Sequence, residues 1–277
     1  MVEKKSKMKK IKIIAEIGWN HMGDMSLASK MIEAASKSGA DVCKFQTWSE
    51  KNLKVGPWDN DGRREIYKKA ELDEEKHIFL KKTCEENNVE FLTSIFNIND
   101  LNLIKNLKMK EIKVPSHEVN NIELIKEMEK HFEKILISTG AAKWDEIKKI
   151  FREINKEKII PMHCVSSYPC DIEKTNMKRL LALKEISSTV GYSGHLSGIE
   201  DSILAITYGA TYIEKHFTID NDLPGRDNKF AILPKTLKSL VDFKNKYNQM
   251  NIDLGLDLQE CEMDTYKNYR GRWSKNA

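Results

Sequence analysis

The sequence lacks the marks of several specialised classes of protein. No apolar run reaches the length of a secretory signal or of a bilayer-spanning helix, so a cytoplasmic protein with no membrane partner is expected. Charge of one sign is scarce: the formal net charge over 277 residues is only +4. Much of that excess falls in residues 1–10, MVEKKSKMKK, which reads as a basic N-terminal tail frayed into solvent. No basic stripe is interleaved with aromatics, so nucleic acid is not an expected partner. Cysteine is sparse and odd in number, with five at Cys43, Cys84, Cys164, Cys170 and Cys261. Without short paired spacings these exclude a disulfide framework or a zinc ribbon, and reduced thiols are the plain reading. No stretch rich in Pro, Gly or Ser breaks the chain. One folded body is expected over residues 11–250, followed by a C-terminal tail over 251–277. A Gly-rich turn of dinucleotide-binding type is also missing after the first apolar run, which weakens an open doubly wound sheet.

What is present is alternation. With 40% hydrophobic residues the chain has ample material for a large core. Short apolar runs of strand type alternate with helical patterns throughout. The runs are KIIAEIG, DVCKFQ, VEFLTSIF, EIKVPS, KILISTG, KIIPMHCV, STVGYSG and ATYIEKHFT. Between them lie helical patterns such as SLASKMIEAASKSGA, the segment 73–87, NDLNLIKNL, NIELIKEMEK and AKWDEIKKIFREI, and PKTLKSLVDFKNKYNQM closes the series. The segment 48–70 reads as a polar loop whose Trp48, Trp58, Arg63, Arg64 and Tyr67 are read as ordinary surface in preference to substrate contact. Parallel strands need crossover helices, and eight such units in one chain predict a single-domain α/β fold, the (β/α)8 TIM barrel.

In such a barrel the active site sits at the C-terminal ends of the strands. Reactive side chains collect there: Glu16, Lys44 and Gln46, Ser94, Lys113 with Ser116 and Glu118, Ser138, Ser166 with Tyr168, Ser193 with His195, and Glu214 with His216. Side chains alternate along a strand, so Lys44 and Gln46 share a face, as do Ser193 and His195, and Glu214 and His216. A lone lysine or histidine at a strand end is usually rim polarity or a satisfied structural group; all eight strands ending this way is not. Lys44 and Lys113 with the hydroxyls of Ser94, Ser116, Ser138 and Ser193 suit a phosphate and a carboxylate. His195 and His216, on neighbouring strands, suit a divalent metal such as Mn²⁺, Fe²⁺, Co²⁺ or Zn²⁺ acting as a Lewis acid.

The motifs AEIGWNHMGD, GADVCKFQT, FLTSIF, KVPSHE, ISTGA, HCVSSYP, GYSGH and IEKHFT resemble, in order, those of the sialic acid synthase (N-acetylneuraminate synthase) family. The resemblance implies a TIM barrel whose small-molecule substrates are phosphoenolpyruvate and the open-chain aldehyde of an aldose, typically N-acetylmannosamine. It implies Mn²⁺ or Mg²⁺ as the cofactor and a nine-carbon 2-keto-3-deoxy sugar acid as product. Carried over, Lys44, Ser94, Lys113, Ser116, Ser138 and Ser193 correspond to phosphoenolpyruvate contacts. His195 and His216 correspond to metal ligands, and Gln46, Glu118, Tyr168 and Asp227 to acceptor contacts. Glu16, Lys44 and Lys113 are the implied catalytic residues.

The sequence departs from the family at Ser166, where Asn is frequent, and at Gly194, where Asp is usual. It departs again at Gly225-Arg226-Asp227-Asn228-Lys229, where Gly-Pro-Asp-His-Lys is usual. Arg226 would add a cation near the acceptor. YKNYRGRWSKNA resembles the start of the linker to the family's small antifreeze-like domain, which itself has no counterpart in this sequence. The resemblance is therefore to the barrel domain: either this is a barrel-only member, which would leave the acceptor pocket more open and remove the usual basis of a swapped homodimer, or the sequence is cut at that point and a homodimer stays possible. Three alternatives stay open: a legionaminic- or pseudaminic-type or non-acetylated acceptor, a Schiff-base pyruvate aldolase using Lys44, Lys113 or Lys215, and a non-catalytic barrel.

Overall fold

The computed structural model describes residues 10–57 and 59–273; the expected basic tail, apart from Lys10, and Trp58 lie outside the described residues. The strands are β1 (Lys12–Gly18), β2 (Val42–Thr47), β3 (Glu90–Ile95), β4 (Glu111–Val114), β5 (Lys134–Ser138), β6 (Ile159–Cys164), β7 (Gly191–Gly194) and β8 (Tyr212–His216). All pair in parallel with their sequence neighbours, and β8 returns to β1, closing the barrel. The (β/α)8 architecture expected from the alternation is the one observed.

Helices α1 (Met25–Lys37), α2 (Arg63–Ala70), α3 (Glu74–Glu86), α4 (Ile122–His131), α5 (Trp144–Glu153), α6 (Lys178–Ile186), α7 (Glu200–Thr207) and α8 (Pro234–Met250) follow the strands. Local chemistry sets several starts. Asp24 accepts from the Ser26 and Leu27 amides, Asp73 from Lys76, and Asn121 from Leu124, each satisfying amides that a helix's first turn leaves open.

Two expectations are corrected. The segment 99–107 is not an α-helix but two 3₁₀ turns, Ile98–Leu103 and Lys105–Leu107. Short polar side chains compete there with helical hydrogen bonds: Asn97 caps the Asn99 amide, and Asp100 accepts from Ser49 and Asn52. The segment 48–70 is not simply polar loop, because it carries α2 and an aromatic cluster. Trp48 is buried, its indole N–H donates to the Tyr67 carbonyl at 3.0 Å, and Trp19 stacks on Tyr67 at 5.0 Å between ring centroids.

Among the described residues, two core clusters build the barrel. Ile14, Val42, Leu92, Leu136, Ile160 and Met162 fill the barrel interior. A larger cluster packs β3 to β6 against α4, α5 and the 3₁₀ turns. Residues 245–277 form a separate unit containing α9 (Met263–Asn268), where Arg270 lies over the Tyr266 ring at 4.0 Å. No helix among the described residues is long and apolar enough to cross a membrane.

Candidate active site

The apolar interior layer sets what lies above it. From Ile14, Val42, Leu92 and Leu136, two residues onward along each strand come Glu16, Lys44, Ser94 and Ser138, on the same inward face. The register brings Glu16 beside both Lys44 and His216, Ser94 beside Lys113, and Ser193 beside Glu214. The sequence-derived residues therefore converge at the C-terminal mouth.

The centre is an ion network. Lys113 Nζ lies 3.1 Å from both carboxylate oxygens of Glu214. Lys44 Nζ lies 2.7 Å from Glu16 Oε2 and 3.8 Å from Glu214 Oε1. Ser193 Oγ donates to Glu214 Oε1 at 3.0 Å, and Gln46 Nε2 to Glu16 Oε1 at 2.6 Å. All four charged groups are buried. Burial alone would raise Glu214, but Lys113 and then Lys44, with the Lys113 and Ser193 hydrogen bonds, hold it at about 2. For Glu16 burial wins: despite Lys44 its carboxyl is pushed up to about 7, with Glu214 adding to the rise. Burial likewise lowers Lys113, against the pull of Glu214.

The hydroxyls occupy the adjoining wall. Ser94 Oγ reaches the Phe45 carbonyl at 3.4 Å, and Ser116 Oγ the Cys164 sulfur at 3.4 Å. Ser138 Oγ is buried without a hydrogen-bond partner among the described residues. Gly140 permits this crowding: a Cβ there would lie 2.4 Å from Ser166 Oγ and 2.7 Å from Ser116 Oγ.

The histidines face each other, with ring centroids 5.4 Å apart. His195 Nδ1 lies 2.7 Å from the Val165 carbonyl oxygen, so Nδ1 carries a proton; burial lowers the ring, but Cys164 and that carbonyl bring it above the usual histidine value. A backbone carbonyl orienting the far ring nitrogen is a common arrangement behind ligating histidines. His216 is buried, which favours the neutral imidazole, and its Nδ1 has no hydrogen-bond partner among the described residues although Asp227 Oδ2 lies 3.4 Å away. Two facing imidazoles, with an unsatisfied nitrogen on His216, fit a divalent metal completed by substrate or water, which on binding would displace any proton from His195 Nε2. Among the described residues no cluster of three or more His, Cys, Asp or Glu is placed to hold an ion by protein ligands alone.

The acceptor candidates are spread more widely. Gln46 binds Glu16, and Tyr168 is half exposed with its ring 4.1 Å from that of His195. Asp227 sits beside His216, with burial pushing its carboxyl up to about 6. Glu118 is turned to a local partner, the Asn121 side-chain amide at 2.9 Å. Arg226 pairs with Asp61 at 2.9 Å on the surface, so its charge is already engaged. Asn228 is fully buried and bonds the Asn20 and Pro224 carbonyls, holding the loop that presents Asp227. Lys215, one candidate for a Schiff base, lies on the outer face in an ion pair with Asp201, away from the mouth.

Sequence reasoning gave Glu214 no role, yet it joins both lysines and Ser193. The signal was its place two residues before His216 on one strand face. Trp19 was also missed; its indole is buried and bears on the Asp227 carboxyl, and nothing in its spacing marked it.

Residues 31–253 match the NeuB family, and the chain belongs to that family. It is 34% identical to the N,N'-diacetyllegionaminic acid synthase of Campylobacter jejuni, over 94% of this chain and 82% of that protein. It is 33% identical to a pseudaminic acid synthase of the same species, over 91% of this chain and 78% of that protein. The crystal structure of the N-acetylneuraminic acid (sialic acid) synthetase from Leptospira borgpetersenii in complex with citrate is similar at a TM-score of 0.85 and 32% identity. That similarity covers 95% of this chain and 93% of the other. The family resemblance in the motifs, and the sugar-acid synthase class it implied, agree with these names.

Proposed function

We propose that this chain condenses phosphoenolpyruvate with the open-chain aldehyde of an N-acylated hexosamine of the N-acetylmannosamine type. Carbon 3 of phosphoenolpyruvate forms the new bond to the aldehyde carbon, water adds at carbon 2, and phosphate leaves with cleavage of its C–O bond. The product is a 2-keto-3-deoxy sugar acid.

The observation that carries this reading is the pair of buried lysines at the mouth of a NeuB-family barrel, Lys44 and Lys113, bracketing Glu214. Cations fixed in a low-dielectric wall stabilise an anionic substrate and the charge that develops on it. Lys44 and Lys113 hold the phosphate and carboxylate of phosphoenolpyruvate, with Ser94, Ser116, Ser138 and Ser193 as directed donors. The buried, unpartnered hydroxyl of Ser138 supports that role. Glu16, at about 7, can take or give a proton near neutral pH at the acceptor oxygen or the adding water. Gln46, Tyr168 and Asp227 orient the acceptor. A divalent metal such as Mn²⁺ or Mg²⁺, held by His195 and His216, would polarise the acceptor carbonyl.

The test is phosphate release from phosphoenolpyruvate across N-acetylated and plain aldoses, with and without Mn²⁺, followed by the product mass. The expected result is metal-dependent release with an N-acylated hexosamine, abolished in His195→Ala and His216→Ala. Borohydride trapping of a pyruvate adduct, with activity indifferent to EDTA, would establish the Schiff-base aldolase instead. No release with any acceptor would leave a non-catalytic barrel.

A further inference from the structure

Behind the two histidines, on the outer wall of the barrel, lies a second charged cluster that takes no part in the chemistry above. Ser193 and His195, and Glu214 and His216, point to the lumen, so Gly194 and Lys215 point outward. These two are register partners across β7 and β8. Lys215 Nζ pairs with Asp201 Oδ2 of α7 at 3.1 Å, and each side chain is only 1% exposed. The same ammonium donates to the Leu196 carbonyl. Asp201 is otherwise saturated: Tyr192 donates to Oδ2 at 3.0 Å, and the Ser202 amide and hydroxyl reach Oδ1 at 2.7 and 3.1 Å.

The chain positions give this cluster its meaning. Leu196 directly follows His195, and Lys215 directly precedes His216. One buried ammonium therefore ties the backbone just after one histidine to the strand residue just before the other. Gly194 fits the same arrangement, since a Cβ there would lie 2.4 Å from Asp201 Oδ2 and 2.5 Å from the Tyr192 ring. The carboxylate fills the volume that a side chain at position 194 would take. A buried, fully bonded ion pair adds little net stability over an apolar one, but it is intolerant of displacement.

We propose that Asp201, acting through Lys215 and the Leu196 carbonyl, is a positioning residue that sets the separation of His195 and His216, and that its carboxylate stands in for a side chain at 194. The inference rests on the two-histidine metal reading. Partners that orient ligating histidines typically change metal affinity by about 10- to 100-fold when removed. A carboxylate that merely docked α7 would leave metal affinity untouched once the chain had folded.

The experiment is a Co²⁺ titration of the metal-free protein, followed by the visible absorption of the bound ion. Two parallel readouts are phosphoenolpyruvate affinity in EDTA and the urea midpoint in EDTA. Asp201→Asn keeps the shape and loses the charge; it is expected to weaken Co²⁺ binding about tenfold or more, with phosphoenolpyruvate affinity unchanged. The double variant Gly194→Asp with Asp201→Ala moves the carboxylate onto β7 beside Lys215 and is expected to restore Co²⁺ affinity. Parental Co²⁺ affinity in Asp201→Asn would overturn the proposal, and so would a folded double variant that stays weak. If Asp201→Asn does not fold, the double variant alone decides in the same terms. Failure of the parent to take up Co²⁺ sinks the metal reading and this inference together, whereas a parent that binds while the variants do not differ sinks this inference alone.

Discussion

Glu214 carries more of the site than any other single side chain, because among the described residues it is the one anion shared by Lys44, Lys113 and Ser193. Removing one partner of a buried ion pair strands the other, at a cost of about 3–5 kcal/mol. Glu214→Gln keeps the shape and removes the charge. It is expected to lower unfolding stability by roughly 3 kcal/mol in urea titrations and to lower kcat/KM for phosphoenolpyruvate by about 100-fold, which is ~2.7 kcal/mol at 1.36 per tenfold. A variant with parental kcat/KM would show that the lysines are held by other means. The importance of Glu214 was only half legible in the sequence. Its spacing from His216 marked its face, but a carboxylate between two lysines on distant strands needs the closed barrel to appear. Lys215 shows the converse: the sequence offered it as a Schiff-base nucleophile from the same motif, and the barrel places it on the opposite face with Asp201.

At the scale of elements, the strands were legible because each is a short apolar run ending in a polar residue, and the helices because of their spacing and caps. Where tertiary contacts overrode local signals, the sequence misled. In the segment 99–107 Asp100 is drawn to Ser49 and Asn52, and α-helix gives way to 3₁₀ turns. In the segment 48–70 the charged residues suggested surface, while Trp48 was already committed to Trp19, Tyr67 and Phe96. That cluster is what docks α2, whose only buried residue is Ala70. Trp48→Ala deletes a buried aromatic and its bond to the Tyr67 carbonyl, a loss of about 3 kcal/mol for a core aromatic. The loss is expected to be local. Native-state hydrogen exchange of the Arg63–Ala70 amides should accelerate at least about tenfold, while the amides of β1 to β8 keep their protection. Equal acceleration across the strands would mean that the cluster stabilises the whole barrel rather than one helix.

For the whole molecule, the same burial that builds the site also makes stability depend on pH, with opposing contributions. His21 and His163 are each lowered to about 4, chiefly by burial. A depressed histidine stays neutral in the fold while the unfolded chain takes up a proton, so its contribution is lost as pH falls from about 6.5 towards 4. Glu16 and Asp227, raised to about 7 and about 6, act in the opposite sense: folded, they bind protons that the unfolded chain has released, which favours the fold as pH falls. These contributions overlap in pH, so a single group shows only in a difference between two proteins. His163 is the best suited, because it is fully buried, its Nε2–H donates to the Thr175 carbonyl at 2.8 Å, and its Nδ1 has no acceptor among the described residues. Protonation would bury a charge and a donor with nowhere to go. His163→Gln can keep the bond to Thr175 without titrating. The stability of the parent relative to this variant should fall by roughly 3 kcal/mol between pH 6.5 and pH 4, because each tenfold loss of proton affinity on folding is worth about 1.36 kcal/mol. Urea midpoints measured across that range read the difference. A constant difference would mean that His163 is protonated in the folded barrel as readily as in the unfolded chain.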